Sequence, residues 1–182
     1  LPTANEYEKR ISTFQWDDLL KLWESIEAGD TPEWESGKAF EYLVLRAFQL
    51  DGAEVRFPYR VELYGAEVEQ IDGAVHYAGL SCLVESKNWS IDVDLAPIAK
   101  LRNQLMRRPA GTIGLIFSHK KFTAPATILA QFSHPQSILL WKKRDIEHGL
   151  KNRMMSRLLL SKYRHCVEYG LVDYNPVQED LP

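Results

Sequence analysis

Gln70-Ile71-Asp72-Gly73-Ala74-Val75, and after it Ser81-Cys82-Leu83-Val84-Glu85-Ser86-Lys87-Asn88-Trp89, is the stretch whose reading decides the fold. It reads as two neighbouring strands joined through a turn at His76-Tyr77-Ala78-Gly79. Side chains alternate between the faces of a strand, so Leu83, Glu85 and Lys87 share one face and Cys82, Val84 and Ser86 the other. An acid and a lysine therefore stand side by side at the end of an otherwise apolar strand. Asp72, on the adjoining strand, can reach the same place. Two carboxylates beside one ammonium make an oxygen-rich position for a hard divalent cation.

Composition places this site in an ordinary globular protein. The chain has 182 residues, 45% hydrophobic and 26% charged, enough for one domain with a real core. No run is long and apolar enough to span a membrane. The first residues have neither a basic nor an apolar signal region, so the sequence points to a cytoplasmic protein. Its two cysteines, Cys82 and Cys166, are then read as reduced thiols. The five histidines have no zinc spacing, and there is no glycine-rich phosphate loop and no nucleophile elbow.

The net charge of −3 conceals an asymmetry. Residues 1–96 carry 8 Lys+Arg against 19 Asp+Glu, a balance of −11; residues 97–182 carry 14 against 6, a balance of +8. A polyanion is expected to approach the second half.

Working outward, residues 4–28 read as one helix, with Ser12 or Thr13 able to cap and a breaker at Gly29-Asp30-Thr31-Pro32. A second, mostly buried helix spans 36–50, with Ser36 as N-cap. Lys38, Arg46 and Gln49 form its polar face, and Glu41 lies at the margin. Residues 54–59 and 61–68 are strand, with Gly65 allowing a turn or bulge, and Glu62, Glu67 and Glu69 read as solvated. Past the motif, a helix over 95–108 has Pro97 in its first turn and buries Ile98, Leu101 and Leu105. Lys100, Asn103, Gln104 and Arg107 face the other way. A continuous apolar run at 112–118 reads as a buried, parallel strand; 122–132 as a helix; 137–141 as another strand. Residues 145–169 read as one long basic amphipathic helix, its charge supplied by Lys151, Arg153, Arg157, Lys162 and Arg164, and the tail from Asp173 is polar.

Asp72, twelve residues, then Glu85-Ser86-Lys87 resembles the PD-(D/E)xK nucleases, and within them the Mrr-type restriction endonuclease-like domains. Ile71 stands where the family name has proline, a position that varies. The resemblance runs from about Ser36 to Trp141. It implies an α/β fold with an αβββαβ core, a mixed central sheet flanked by helices, and helical extensions at both ends. The corresponding division is 1–35, 36–144 and 145–182. It implies a magnesium-dependent endonuclease acting on DNA in restriction, defence or repair, with manganese as a substitute metal. The alternative is an inactive nuclease-like DNA-binding or scaffold subunit of a larger complex.

The resemblance also assigns roles. Asp72 and Glu85 would hold the metal, with the Ser86 carbonyl adding an oxygen. Lys87 would act on water and on transition-state charge. Glu41, in Gly37-Lys38-Ala39-Phe40-Glu41, looks like the acid of the family's first core helix, able to hold a second metal or take a proton. Gln104, in Lys100-Leu101-Arg102-Asn103-Gln104-Leu105, looks like the glutamine that points into the site. Lys100, Arg107, Lys120 and Lys121 are expected backbone contacts; for His119, which follows the strand end at Ser118, a phosphate contact is the lesser of the two readings. The chain lacks room for a full reader domain, so pairing as a homodimer through Leu150, Met154 and Leu158 is expected of a double-strand cutter.

Overall fold

The computed structural model describes residues 2–88, 90–135 and 137–176; Trp89, at the end of the quoted stretch, and the tail from 177 lie outside it. Its elements are α1 Ala4–Ser12, α2 Trp16–Ala28, α3 Lys38–Leu50, β1 Glu54–Arg56, β2 Tyr59–Leu63, β3 Ala66–Ile71, β4 Gly73–Tyr77 and β5 Leu80–Lys87. These are followed by α4 Leu95–Leu105, β6 Thr112–Ser118, α5 Ala124–Gln131, β7 Ile138–Trp141, α6 Lys143–Asn152 and α7 Met155–Tyr169. The order α3-β1-β4-β5-α4-β6 is the expected αβββαβ core, with the hairpin β2–β3 inserted before β4.

Five strands form one mixed sheet in the order β1-β4-β5-β6-β7. β1, β4 and β5 pair antiparallel, and β5, β6 and β7 pair parallel. The β4–β5 hairpin closes in two residues, Ala78 (φ 48°) and Gly79 (φ 84°), whose positive φ values suit the natural twist of paired strands. β2 and β3 form a separate two-stranded ribbon. The chain passes from ribbon to main sheet at Asp72, which is why the expected strand over 70–75 is two strands with an acid at the joint.

Helices cover both faces. On one face Phe48 of α3 meets Phe117 of β6 and Trp141 of β7, with ring centroids 4.9–6.0 Å apart. α3 is sandwiched between the sheet and the outer helices, and so buries Phe40, Tyr42, Leu43, Val44, Leu45 and Phe48. The opposite face is covered by α4. A Cβ on Gly114 would come within 2.7 Å of Leu101, so glycine lets the helix lie close there. At Gly73 a Cβ would meet Leu45 at 2.6 Å and the Arg56 carbonyl at 3.1 Å. Gly73→Ala is therefore expected to cost about 1–3 kcal/mol by overpacking, read as a lowered denaturant midpoint at unchanged slope.

Two expected helices are each divided in the structure. Ser12 and Thr13 do not cap a continuing helix; their hydroxyls bond back to the carbonyls of Lys9 and Arg10. The chain then extends at Gln15, whose N–H donates to Asp18 and starts α2. Likewise 145–169 is α6 and α7, parted at Arg153, which has φ 55°. The structure also revises the role of the last helix. Leu150 and Leu158 are buried in the chain's own core and Met154 packs against it, so that stripe is largely spent on folding. Lys162, expected on the charged face, is 1% exposed, paired with Asp145 at 2.8 Å and donating to the Leu140 carbonyl. Both cysteines are free and buried, and burial pushes the Cys82 thiol up to about 12.

Candidate active site

The end of β5 gathers the acids. Register places Gly73 opposite Val84, so Asp72 hangs just beyond the β4 ladder, over Ser86. Its Oδ2 accepts the Ser86 N–H at 2.9 Å, which fixes the carboxylate and leaves Oδ1 facing the cluster. Glu85 points to the α4 side and is fully buried. A buried carboxylate needs partners, and two lysines provide them. Lys87 Nζ lies 2.5 Å from Glu85 Oε1, and Lys100 Nζ lies 2.7 Å from Oε2. Lys100 is also 3.9 Å from Asp72 Oδ1.

Glu41, in the first turn of α3, closes the other side. Its Oε2 is 2.6 Å from Lys38 Nζ. Burial, and then the charge of Asp72, raise its pKa; Lys38 and Lys87 work against that rise. The Lys87 ammonium is pulled down by burial, but Glu85, and after it Asp72 and Glu41, leave it above its ordinary value. The centre thus holds three carboxylates, Glu41, Asp72 and Glu85, against three ammoniums, Lys38, Lys87 and Lys100: a formal sum of zero.

The donor set suits a hard divalent cation. All its atoms are carboxylate oxygens, and an ammonium already lies within reach of both Glu85 and Asp72. Among the described residues no three His, Cys, Asp or Glu side chains stand close enough to hold an ion by themselves. Magnesium is commonly held by one or two carboxylates together with substrate phosphate and water, which two acids allow. Ser86 gives its N–H to Asp72, and its hydroxyl is buried without a hydrogen-bond partner among the described residues.

Not every expected residue joins this centre. Gln104 is 4% exposed and donates to the Gln70 carbonyl at 3.0 Å, fixing β3 two residues before Asp72. Arg107 pairs with Glu69, as does Arg108 at 2.5 Å. Glu69, read as solvated, is buried by that clamp. Lys120 and Lys121 are exposed. His119 is 8% exposed, set edge-on against Trp23 and paired with Glu27, so it is not at a phosphate position.

Lys38 and Lys100 are the members that the sequence did not place in this centre: Lys38 reads as part of a polar helix face, and Lys100, expected at the nucleic-acid backbone, pairs instead with Glu85. Lys100 and Gln104 are four apart, about 40° around the helix, so they do share a face. That face overlooks Glu85 and β3 rather than solvent. The available signal was a lysine one turn before the glutamine on a helix crossing the motif strand.

Comparison with known proteins follows the same line. The profile of the Mrr_cat restriction endonuclease family matches residues 33–149, well over half of the chain. No protein with a curated description matches. A crystal structure described as a protein of unknown function, AF1548, superposes with a TM-score of 0.50 at 18% identity, over 73% of this chain and 78% of that one. The MspJI restriction endonuclease in complex with a 27-mer oligonucleotide gives a TM-score of 0.43 at 16% identity, over 98% of this chain. The present chain spans 41% of the MspJI chain.

Proposed function

The chain belongs to the Mrr-type restriction endonuclease family, and on that premise we propose that it is a magnesium-dependent endonuclease hydrolysing DNA phosphodiester bonds at Asp72, Glu85 and Lys87. The observation that supports this reading is the convergence of Asp72, Glu85 and Lys87 at the end of β5, with Asp72 fixed by the Ser86 N–H and Lys87 on one Glu85 oxygen.

Asp72 and Glu85 would hold the metal, with the Ser86 carbonyl as a further oxygen. A bound divalent cation offsets charge on the phosphoryl group and makes a neighbouring water easier to deprotonate. The chain's own groups do the rest. Lys87 stays cationic at neutral pH, so it orients the attacking water and stabilises charge growing on phosphorus; it does not act as the base. The water oxygen bonds to phosphorus and the ester P–O bond breaks. Glu41, whose carboxyl is held above its usual range, takes the water's proton, and the departing oxygen is protonated from solvent. Manganese, with similar oxygen coordination, would substitute.

A catalytically silent DNA-binding module is the second reading, and Lys100 favours it: its ammonium competes for the oxygens the metal needs. Lys100→Met separates the two. Removing a competing cation that is 41% exposed is expected to tighten magnesium binding about tenfold, or ~1.4 kcal/mol, by titration calorimetry. If neither wild type nor this variant binds magnesium, the silent reading stands. For the leading reading, labelled duplex DNA is incubated with magnesium or with chelator. Metal-dependent strand scission is expected. Cleavage of RNA alone, or none at micromolar protein, overturns it.

A further inference from the structure

On the α4-facing side of the sheet a second feature lies beside the carboxylate centre. A cavity of about 490 Å³ opens between β1, the turn end of β4–β5 and the segment after α4. Its basic side chains are Arg56, His76 and Arg108, accompanied by the hydroxyls of Tyr59, Ser81 and Thr112, and among the described residues no carboxylate lines it. That is unusual in a chain of net charge −3.

Arg56 is exposed and pairs with no acid among the described residues. Its guanidinium lies 3.7 Å from the centroid of the Tyr59 ring, a contact that orders the side chain without neutralising it. Arg108 is anchored by Glu69 and by the Gln104 carbonyl, which it meets at 2.9 Å. Counting Glu69 with Arg56, Arg107 and Arg108 gives 3 − 1 = +2, so the anchoring acid does not cancel the field. His76 Nδ1 meets Ser81 Oγ at 3.0 Å, which fixes the ring at the rim. Two guanidiniums held by stacking and by a clamp are suited to the planar, paired hydrogen bonds that phosphate accepts.

Position ties the cavity to the site. Ser81, Leu83 and Glu85 alternate onto one face of β5, and each two-residue step covers about 6.6 Å. The cavity walls at Leu83 and Ser81 therefore stand about 7–13 Å from Glu85. One strand of a duplex advances about 3.4 Å per nucleotide, so this is about two to four nucleotides. Resting on the nuclease reading, we propose that Arg56, Arg108 and His76 form a phosphate subsite. It holds the nucleic-acid backbone two to four nucleotides from the bond at the carboxylate centre.

The test uses the full chain and a fluorescein-labelled 24-base-pair DNA in chelator, followed by anisotropy over a salt series. Arg56→Ala is expected to weaken binding about fivefold and to reduce the slope of log affinity against log salt by about one. Arg56→Ala/His76→Ala is expected to weaken it further, while magnesium affinity by calorimetry stays at the wild-type value. Arg56→Lys should keep the slope but lose part of the affinity, because the paired hydrogen bonds are gone. If wild type binds the duplex and Arg56→Ala binds it equally, with the same slope, the subsite is wrong and the nuclease reading survives. If inorganic phosphate protects the wild type but not Arg56→Ala against thermal unfolding while DNA affinity is unchanged, the cavity takes a small anion and the proposal falls. A wild type that binds no DNA overturns both.

Discussion

Lys87→Met is expected to lower the DNA cleavage rate about 10²–10³-fold, the usual cost of removing one preorganised donor to transition-state charge, or ~2.7–4 kcal/mol. The argument rests on where the ammonium sits. It lies 2.5 Å from Glu85 Oε1 and is only 19% exposed, so water cannot replace it cheaply. Its pKa is raised above an already high value, so it carries its charge throughout the neutral range, and no shift of pH should rescue the variant. Methionine keeps the length and the apolar stem, and Lys100 remains on the other Glu85 oxygen, so the fold and the metal position survive. Circular dichroism should match wild type and magnesium binding should be retained or tightened, because the centre loses one cation, while single-turnover cleavage collapses. Full cleavage by Lys87→Met would remove the lysine from the reaction.

The parts of this protein that the sequence disclosed share one property: their signals are local. The apolar run at 112–118 contains the strand Thr112–Ser118, and Asp72, Glu85 and Lys87 are brought together because strand alternation and one hairpin turn suffice to place them. What was illegible depended on partners distant in the chain. Continuous periodicity over 4–28 hid the break at Gln15, a residue with no capping signature, whose extended backbone is stabilised by Asp18. Lys162 looked like a surface charge because Asp145, which accompanies it into the core, belongs to another helix. Glu69 looked solvated because Arg107 and Arg108 reach it from the end of α4.

The charge asymmetry is the clearest case. An acidic first half and a basic second half suggested a broad basic wall for a polyanion. In the folded chain the halves largely answer each other: Lys100 with Glu85, Arg107 and Arg108 with Glu69, Lys143 with Glu27, Arg153 with Asp17. The cations left for a polyanion are therefore fewer and more local than the sums −11 and +8 suggest. Arg56, which comes from the acidic half, is one of them.

Glu85→Gln is expected to have the largest effect, abolishing both metal binding and cleavage. Glu85 is the one acid of the centre with no exposed surface, and each of its oxygens faces a lysine. Losing its charge changes the formal sum of the six groups from 3 − 3 = 0 to 3 − 2 = +1, so an arriving divalent cation meets net repulsion as well as a missing ligand. Changing even an outer partner of a metal ligand commonly costs 10–100-fold in affinity, so loss of the ligand itself should exceed about a hundredfold. Asp72→Asn is expected to be milder. Its amide oxygen can still accept the Ser86 N–H, and the buried Glu85 is retained. Glu85→Gln also leaves Lys87 and Lys100 without their shared acid, so thermal unfolding must be measured beside calorimetry. A folded Glu85→Gln protein with wild-type magnesium affinity would place the metal elsewhere. A folded variant that binds no magnesium yet cuts DNA in chelator would detach the chemistry from the metal altogether.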